Sequence, residues 1–422
     1  MQEINEVSKN FHFFSTKETV LNKIRSFLLF TFGVIDFLSL FAFSALATVN
    51  PSAATAIGKI SSLLIIFLFV NSLVLPKTPR QVIFWLCFGA IAIVDYGLNQ
   101  RSDFLSQLIL IGLSLGSLNI DFNRILKTFM YASILSTLVI VCLSIIGILP
   151  IDGEQSSVLF SSYQNIVFCF GFIHPNTFGT ILFSIAISFI CLYSDTRPKW
   201  SWVVAMASIL FDFLIGAQTA AVGVIIILIG LFCQGKKTSN IAFTLYHIAY
   251  IIPVLLFIFS IVIAQSQGSL LYNWFNQYIA SRPSVWNYYL SNYQPKLIGN
   301  VVNIDLSVIS NVYGNGVLDG SYIYYLLHFG YIGLIILIWA MISINKKGFT
   351  YKNSIYHWIF IAVCLTSFPE TNFTIFFFNP FLYLIFLNQL SQEKITQYGG
   401  QKNTWKKRNT IKTFEFSKKS VK

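Results

Sequence analysis

Apolar residues run through this chain in long blocks separated by short polar stretches. The blocks fall at about 26–49, 57–75, 81–98, 104–118, 125–149, 174–194, 200–216, 218–234, 241–264, 321–343, 355–368 and 374–390. Most are long enough to cross a hydrocarbon layer of ~30 Å as a helix. The pair at 200–216 and 218–234 is divided only by Gly216-Ala217 and reads equally well as a broken re-entrant hairpin. The pattern predicts an all-α polytopic integral membrane protein of about twelve transmembrane helices. One interruption stands apart: residues 265–320 form a large loop between the ninth and tenth spans. A smaller polar segment, Pro150 to Ile173, contains Asp152 and Glu154 and no Lys or Arg.

The charges orient this scheme. With both termini cytoplasmic, all but four of the 28 Lys and Arg residues fall on the cytoplasmic side; the exceptions are Lys59, Arg101, Arg282 and Lys296. Such an imbalance sets orientation and makes the 265–320 loop extracytoplasmic. Residues 1–25 are then a cytoplasmic segment, 26–390 one membrane domain, and 391–422 a basic tail suited to an anionic inner leaflet. Ala45-Leu46-Ala47 resembles a cleavage site, but the apolar run before it is too long for a usual signal peptide, so the first block is expected to remain as a span.

Composition changes little. The chain is 55% hydrophobic and 10% charged, which excludes an ordinary soluble domain. The net charge of +12 sits at the edges of spans rather than on one face, so it does not imply nucleic acid. Six cysteines lie in or beside spans without paired spacing, which points to apolar fillers, not disulfides or a metal site. No phosphate loop, zinc motif or hydrolase elbow is present, so no cofactor and no metal are expected.

Chemistry concentrates on the outer side. "IASRPSVWNYYLSNYQ" places Arg282 before Pro283, so a short helix is expected to start there, with Ser281 or Arg282 at its cap. A helix N-terminus and an arginine fork together suit phosphate. Trp286 and Tyr289 are among the rings around it that suit lipid or the flat faces of sugars. "FGFIHPNTFG" repeats the device: Pro175 opens a span, flanked by His174, a possible proton carrier, and Asn176. Asp319 stands where the loop meets the next span, as a base or a helix cap, and Glu370 lies in a short external turn. Asp36, Asp95 and Asp212 fall inside spans, where carboxylates are functional candidates by default.

Taken together, these stretches resemble the O-antigen polymerase and ligase superfamily, of the Wzy and WaaL type. "FGFIHPNTFG" is similar to its His-Pro-Asn segment, "ASRPSVWNYYL" to its loop arginine segment, "LDGSYIYYLLHFGYIGL" to its Asp-x-x-Tyr helix, and "FPETNF" to a late acidic turn. The resemblance implies a glycosyltransferase using an oligosaccharide carried on polyprenyl diphosphate, at the outer face of the bacterial cytoplasmic membrane. Asp319, His174 and Arg282 would be catalytic. Arg282, Lys296, Asn176, Trp286, Tyr289, Tyr322 and Glu370 would bind diphosphate and sugar. Membrane lipid, a chain-length regulator and a flippase would be its partners. At "GAQTAAVG", Gln218 stands where the family often has arginine; Lys296 or Arg101 is a candidate replacement. Asp rather than His at Asp319 favours a repeat-unit polymerase over a ligase. A lipid-linked oligosaccharide flippase is the alternative from another class, against which the long outer loop argues.

Overall fold

The computed structural model describes residues 2–75, parts of 79–88, 104–153, 167–234, 239–302, 318–350, 354–371 and 374–390. Asp95, Arg101, Glu154, most of the 81–98 block and the basic tail lie outside the described residues. The described residues are almost entirely helical. Its longer elements are α1 (Gln2–Ser39), α2 (Pro51–Ser72), α3 (Phe104–Ser117), α4 (Phe122–Ile145), α5 (Pro175–Tyr193), α6 (Pro198–Ile215), α7 (Gln218–Gln234) and α8 (Ser239–Gln265). Then come α9 (Leu270–Tyr278), α10 (Arg282–Asn292), α11 (Ser321–Thr350), α12 (Ser354–Thr366) and α13 (Tyr383–Leu390). Among the described residues, β-structure is confined to a two-residue antiparallel pair, Asp152–Gly153 against Val167–Phe168, and one isolated bridge.

Proline and glycine punctuate the helices as expected. Pro51, Pro175, Pro198 and Pro283 each occupy a first turn, where a missing N–H is harmless. Gly216, at φ 79°, closes α6 in the left-handed conformation, and Ala217 N–H bonds back to Asp212 O at 2.8 Å. Among the described residues, seven helices are long and apolar enough to cross a membrane, by length and composition alone, and three shorter apolar ones accompany them. Their outward faces are oily: Leu63, Phe67 and Val70 on α2, and Leu210 and Leu214 on α6, are exposed. This is the surface of a multi-pass membrane protein, whose solvent on that side is lipid.

Three expectations are corrected. The first block does not continue as one helix to residue 49: α1 gives way to a 3₁₀ turn at Leu40–Phe43 and a one-turn helix, Leu46–Val49. The last block, 374–390, is not a spanning helix. Residues 374–379 are irregular and α13 covers eight residues, because Asn379 precedes Pro380 and leaves the helical region. That irregular stretch is enclosed by protein, with Phe376, Phe378 and Asn379 buried and Phe378 O accepting from Ser184 on α5. Non-helical backbone at such depth survives only under that condition.

The third correction concerns α11, read from sequence as one straight span. It breaks at Gly330 (φ 70°, ψ −167°) and folds back on itself. Tyr322 Oη and Met341 Sδ, nineteen residues apart, approach to 4.0 Å; in a straight helix they would stand ~28 Å apart. Loop residues enter the gap: Tyr331 N–H donates to Lys296 O at 3.0 Å, Ile332 N–H to Leu297 O at 3.1 Å, and Asn300 N–H to Leu327 O at 2.9 Å. Backbone groups freed by the break are thereby satisfied. The limb Ser321–Phe329 is carried back into the protein, and with it the start of α11.

Candidate active site

Two residues before α10, the chain takes an unusual corner. Ala280 (φ 49°) and Ser281 (φ 60°) are consecutive non-glycine residues in the left-handed region. Each such residue stores about 1–3 kcal/mol, and such strain gathers at functional sites. Ser281 is the N-cap, as anticipated, but its hydroxyl does not cap the helix. Asn276 of α9 holds the first turn instead: its Oδ1 accepts from Ser284 N–H at 3.1 Å and Ser284 Oγ at 2.6 Å. Arg282 N–H goes to Ile279 O and Val285 N–H to Ser281 O. The expected phosphate site at this N-terminus is therefore corrected, because its free donors are already occupied and Pro283 has none.

The corner turns Arg282 inward. Its guanidinium donates through Nε to Pro369 O at 3.2 Å and through Nη1 to Ala280 O at 3.5 Å. Nη2 lies 2.7 Å from Asp319 Oδ2 and 3.2 Å from Glu370 Oε1. Asn176, in the first turn of α5, donates from Nδ2 to the same Glu370 oxygen at 3.1 Å. Thr371 Oγ1 donates to Asp319 Oδ1 at 3.2 Å, and Trp286 Nε1 to Asp319 O at 2.5 Å. Ser321 fixes the start of α11 against the turn after α12: its N–H bonds Ser367 O, and its Oγ bonds Glu370 O, both at 2.9 Å. Four separate segments thus meet at one cation shared by two carboxylates.

Burial governs the electrostatics. The side chains of Arg282 and Glu370 are 6% and 7% exposed, and that of Asp319 is 16% exposed. Burial pushes the Glu370 carboxyl up; Arg282 opposes this and Asp319 adds to it, leaving Glu370 at about 7. Burial alone would lower the Arg282 guanidinium, but Asp319 and Glu370 outweigh it and hold it above its ordinary value. The cluster is a fixed cation, an outward carboxylate and a deeper carboxyl that takes up a proton near neutral pH.

Helix lengths help to place it. From the far end of α5, 19 residues reach this level, or ~28 Å; from the far end of α12, 13 residues give ~20 Å. The first is close to the ~30 Å of a hydrocarbon layer and the second is well short of it. The cluster sits where the N-terminal end of α5 and the turn after α12 come together, at one end of these helices.

Of the residues predicted for the site, Arg282, Asp319, Glu370 and Asn176 are brought together. His174 Nδ1 accepts from Asn176 N–H at 3.1 Å, so one ring nitrogen is given to capping α5. Trp286, Tyr289 and Tyr322 are corrected: all three rings are fully buried, with Tyr322 Oη donating to Cys364 O at 3.2 Å, so none presents a face to a sugar here. Lys296 is exposed, and its carbonyl serves the Gly330 break, at the opposite end of the folded-back limb from Asp319. Gln218 opens α7 beside the buried Asp212 turn. Thr371, Ser321 and Asn276 escaped the sequence reading; in Thr371 the one signal was its place directly after Glu370. Asp36, deep between α1 and α4, accepts from Ser133 Oγ at 3.0 Å and stands apart from this cluster in sequence and packing. Comparison with protein-family models, with curated proteins and with solved structures finds no match for the chain.

Proposed function

We propose that this protein is a polysaccharide repeat-unit polymerase. It would be a membrane glycosyltransferase that moves a growing glycan from polyprenyl diphosphate onto an incoming lipid-linked repeat unit, at the outer face of the bacterial cytoplasmic membrane. A multi-span arrangement with cytoplasmic termini, and a chain-length regulator and flippase as partners, belong to the same proposal. One observation carries it: Asn176, Arg282, Asp319 and Glu370, marked out by four separate sequence stretches as much as 194 positions apart, meet in one cluster.

The chemistry follows from the cluster. Asp319, the more exposed carboxylate, is oriented by Thr371 and is placed to take the proton of an acceptor hydroxyl. The hydroxyl oxygen attacks the donor's anomeric carbon. The bond from that carbon to the diphosphate oxygen breaks, and the lipid diphosphate leaves with the electron pair. Its charge needs a cation. Arg282 supplies one by exchanging Glu370 for a phosphate oxygen. That exchange is eased because burial pushes the Glu370 carboxyl up towards its neutral form.

The test is the size and leaflet of lipid-linked saccharide in cells carrying Asp319→Asn, once membrane levels of the protein are matched. Single repeat units gathering on the outer leaflet, with long polymer lost, are expected. Unchanged polymer would refute the reading. Units held on the inner leaflet would make the protein a flippase, and long polymer accumulating on the lipid carrier would make it a ligase.

A further inference from the structure

Helix α9, at nine residues, is too short to cross a membrane, yet one side of it is apolar and exposed. Laid out at about 100° per residue, its side chains divide into three sectors. Tyr272, Phe275 and Ile279 face the protein; Phe275 packs edge-on against Phe259 of α8 and Phe368. Asn273, Asn276 and Gln277 form a polar sector. Leu270, Leu271, Trp274 and Tyr278 form the third, and they are 91%, 49%, 53% and 41% exposed. The helix has no charged residue.

The geometry points to the bilayer leaflet beside the site as the occupant of this third sector: α9 is a monotopic anchor lying along the membrane surface. Three observations favour lipid over a protein partner. The sector continues a lipid-facing stripe on α8, where Ile251, Leu255, Ile258 and Val262 are exposed, around the short corner Ser266–Ser269. Trp274 and Tyr278 meet within it at 4.9 Å, their rings tilted by 42°, and are the ring types that settle at headgroup level. Asn273 and Gln277 of the polar sector are exposed beside the apolar one, as for a helix half-sunk in an interface.

The anchor is tied to the cluster. Tyr272 Oη and Ser284 Oγ are hydrogen-bonded at 2.9 Å, and Asn276 holds Ser284 as described. Ser284 lies two residues from Arg282. The depth of α9 in the leaflet therefore sets the height of the Arg282 corner. This inference does not rest on the proposed reaction.

The experiment places an environment-sensitive fluorophore on Leu270→Cys, Trp274→Cys, Asn273→Cys and Gln277→Cys in the full chain with its six native cysteines replaced by serine, in phospholipid vesicles. Positions 270 and 274 are expected to emit in the blue-shifted range and to be quenched by nitroxide-bearing lipid. Positions 273 and 277 are expected to be quenched by aqueous iodide. Water-like emission at 270 and 274 would overturn the inference. So would blue-shifted emission there without lipid quenching, which would assign the face to a second copy or another protein. The unmodified chain provides a check free of cysteine replacement. Vesicles containing a diazirine-tailed phospholipid should give adducts on Leu270, Leu271 and Trp274; adducts on the α8 stripe with none on α9 would also overturn it.

Discussion

Replacing Arg282 by methionine removes the one cation shared by Asp319 and Glu370 while keeping much of the side-chain volume. Breaking a buried pair by deleting one partner costs about 3–5 kcal/mol, since the remaining charge is stranded. Two details place this case at the lower end. Asp319 is partly exposed and can rehydrate. Glu370, already at about 7 with the arginine present, will rise further and take up a proton. The expected loss is therefore ~3 kcal/mol and is smaller at pH 6 than at pH 8. Adding Glu370→Gln and Asp319→Asn to Arg282→Met should recover most of the stability but none of the activity. Unfolding of the purified variants in matched detergent at the two pH values provides the assay. A single variant within ~0.5 kcal/mol of the parent, typical of an ordinary surface change, would refute the reasoning. A triple variant no more stable than the single would refute it equally.

Glu370→Gln alone has a pH signature. The folded-state value of about 7 lies above the ordinary carboxylate range, so the folded protein holds the proton more tightly than the unfolded chain. That contribution is full below about pH 4.5 and is lost as pH rises through about 7. Unfolding profiles should show the parent weakening across this window and the variant losing that slope. Gly330→Ala should disrupt the fold-back of α11, because its backbone angles are essentially restricted to glycine and a Cβ would stand 2.5 Å from Lys296 O, Leu297 O and Gly299 N. Loss of hydrogen-exchange protection at Tyr331 and Ile332, whose N–H groups bond Lys296 O and Leu297 O, would report it. Gly179→Ala should destabilise by about 1–3 kcal/mol in thermal unfolding, because the new Cβ would overlap Ala217 at the α6–α7 turn.

Much of the membrane fold was legible because lipid imposes one pattern: long apolar helices ended by proline, glycine and polar caps. The bounds of α5, α6 and α7 follow Pro175, Pro198 and Gly216 closely. The cluster was legible in outline because rare polar residues beside proline mark strained, purposeful backbone. Its internal geometry was hidden. Nothing near Arg282 in sequence shows that Asp319 and Glu370 will take its guanidinium, since those contacts depend on α11 folding back at Gly330. "HFGYIG" reads as helix because glycine is tolerated in spans, and only the inserted Lys296–Asn300 segment turns it into a corner. Aromatic residues misled for a related reason. Trp286, Tyr289 and Tyr322 have the composition of a sugar platform and the burial of a core, and burial depends on partners distant in the chain.

The central claim is that the Arg282–Asp319–Glu370 cluster transfers glycan from a lipid diphosphate. The most direct measurement uses purified protein in vesicles with polyprenyl-diphosphate-linked repeat units, following glycan length and released lipid diphosphate together. The account predicts that the parent lengthens glycan with one lipid diphosphate released per bond formed, and that Asp319→Asn, folded and inserted, does neither. Glycan lengthening by Asp319→Asn at the parental rate would contradict it.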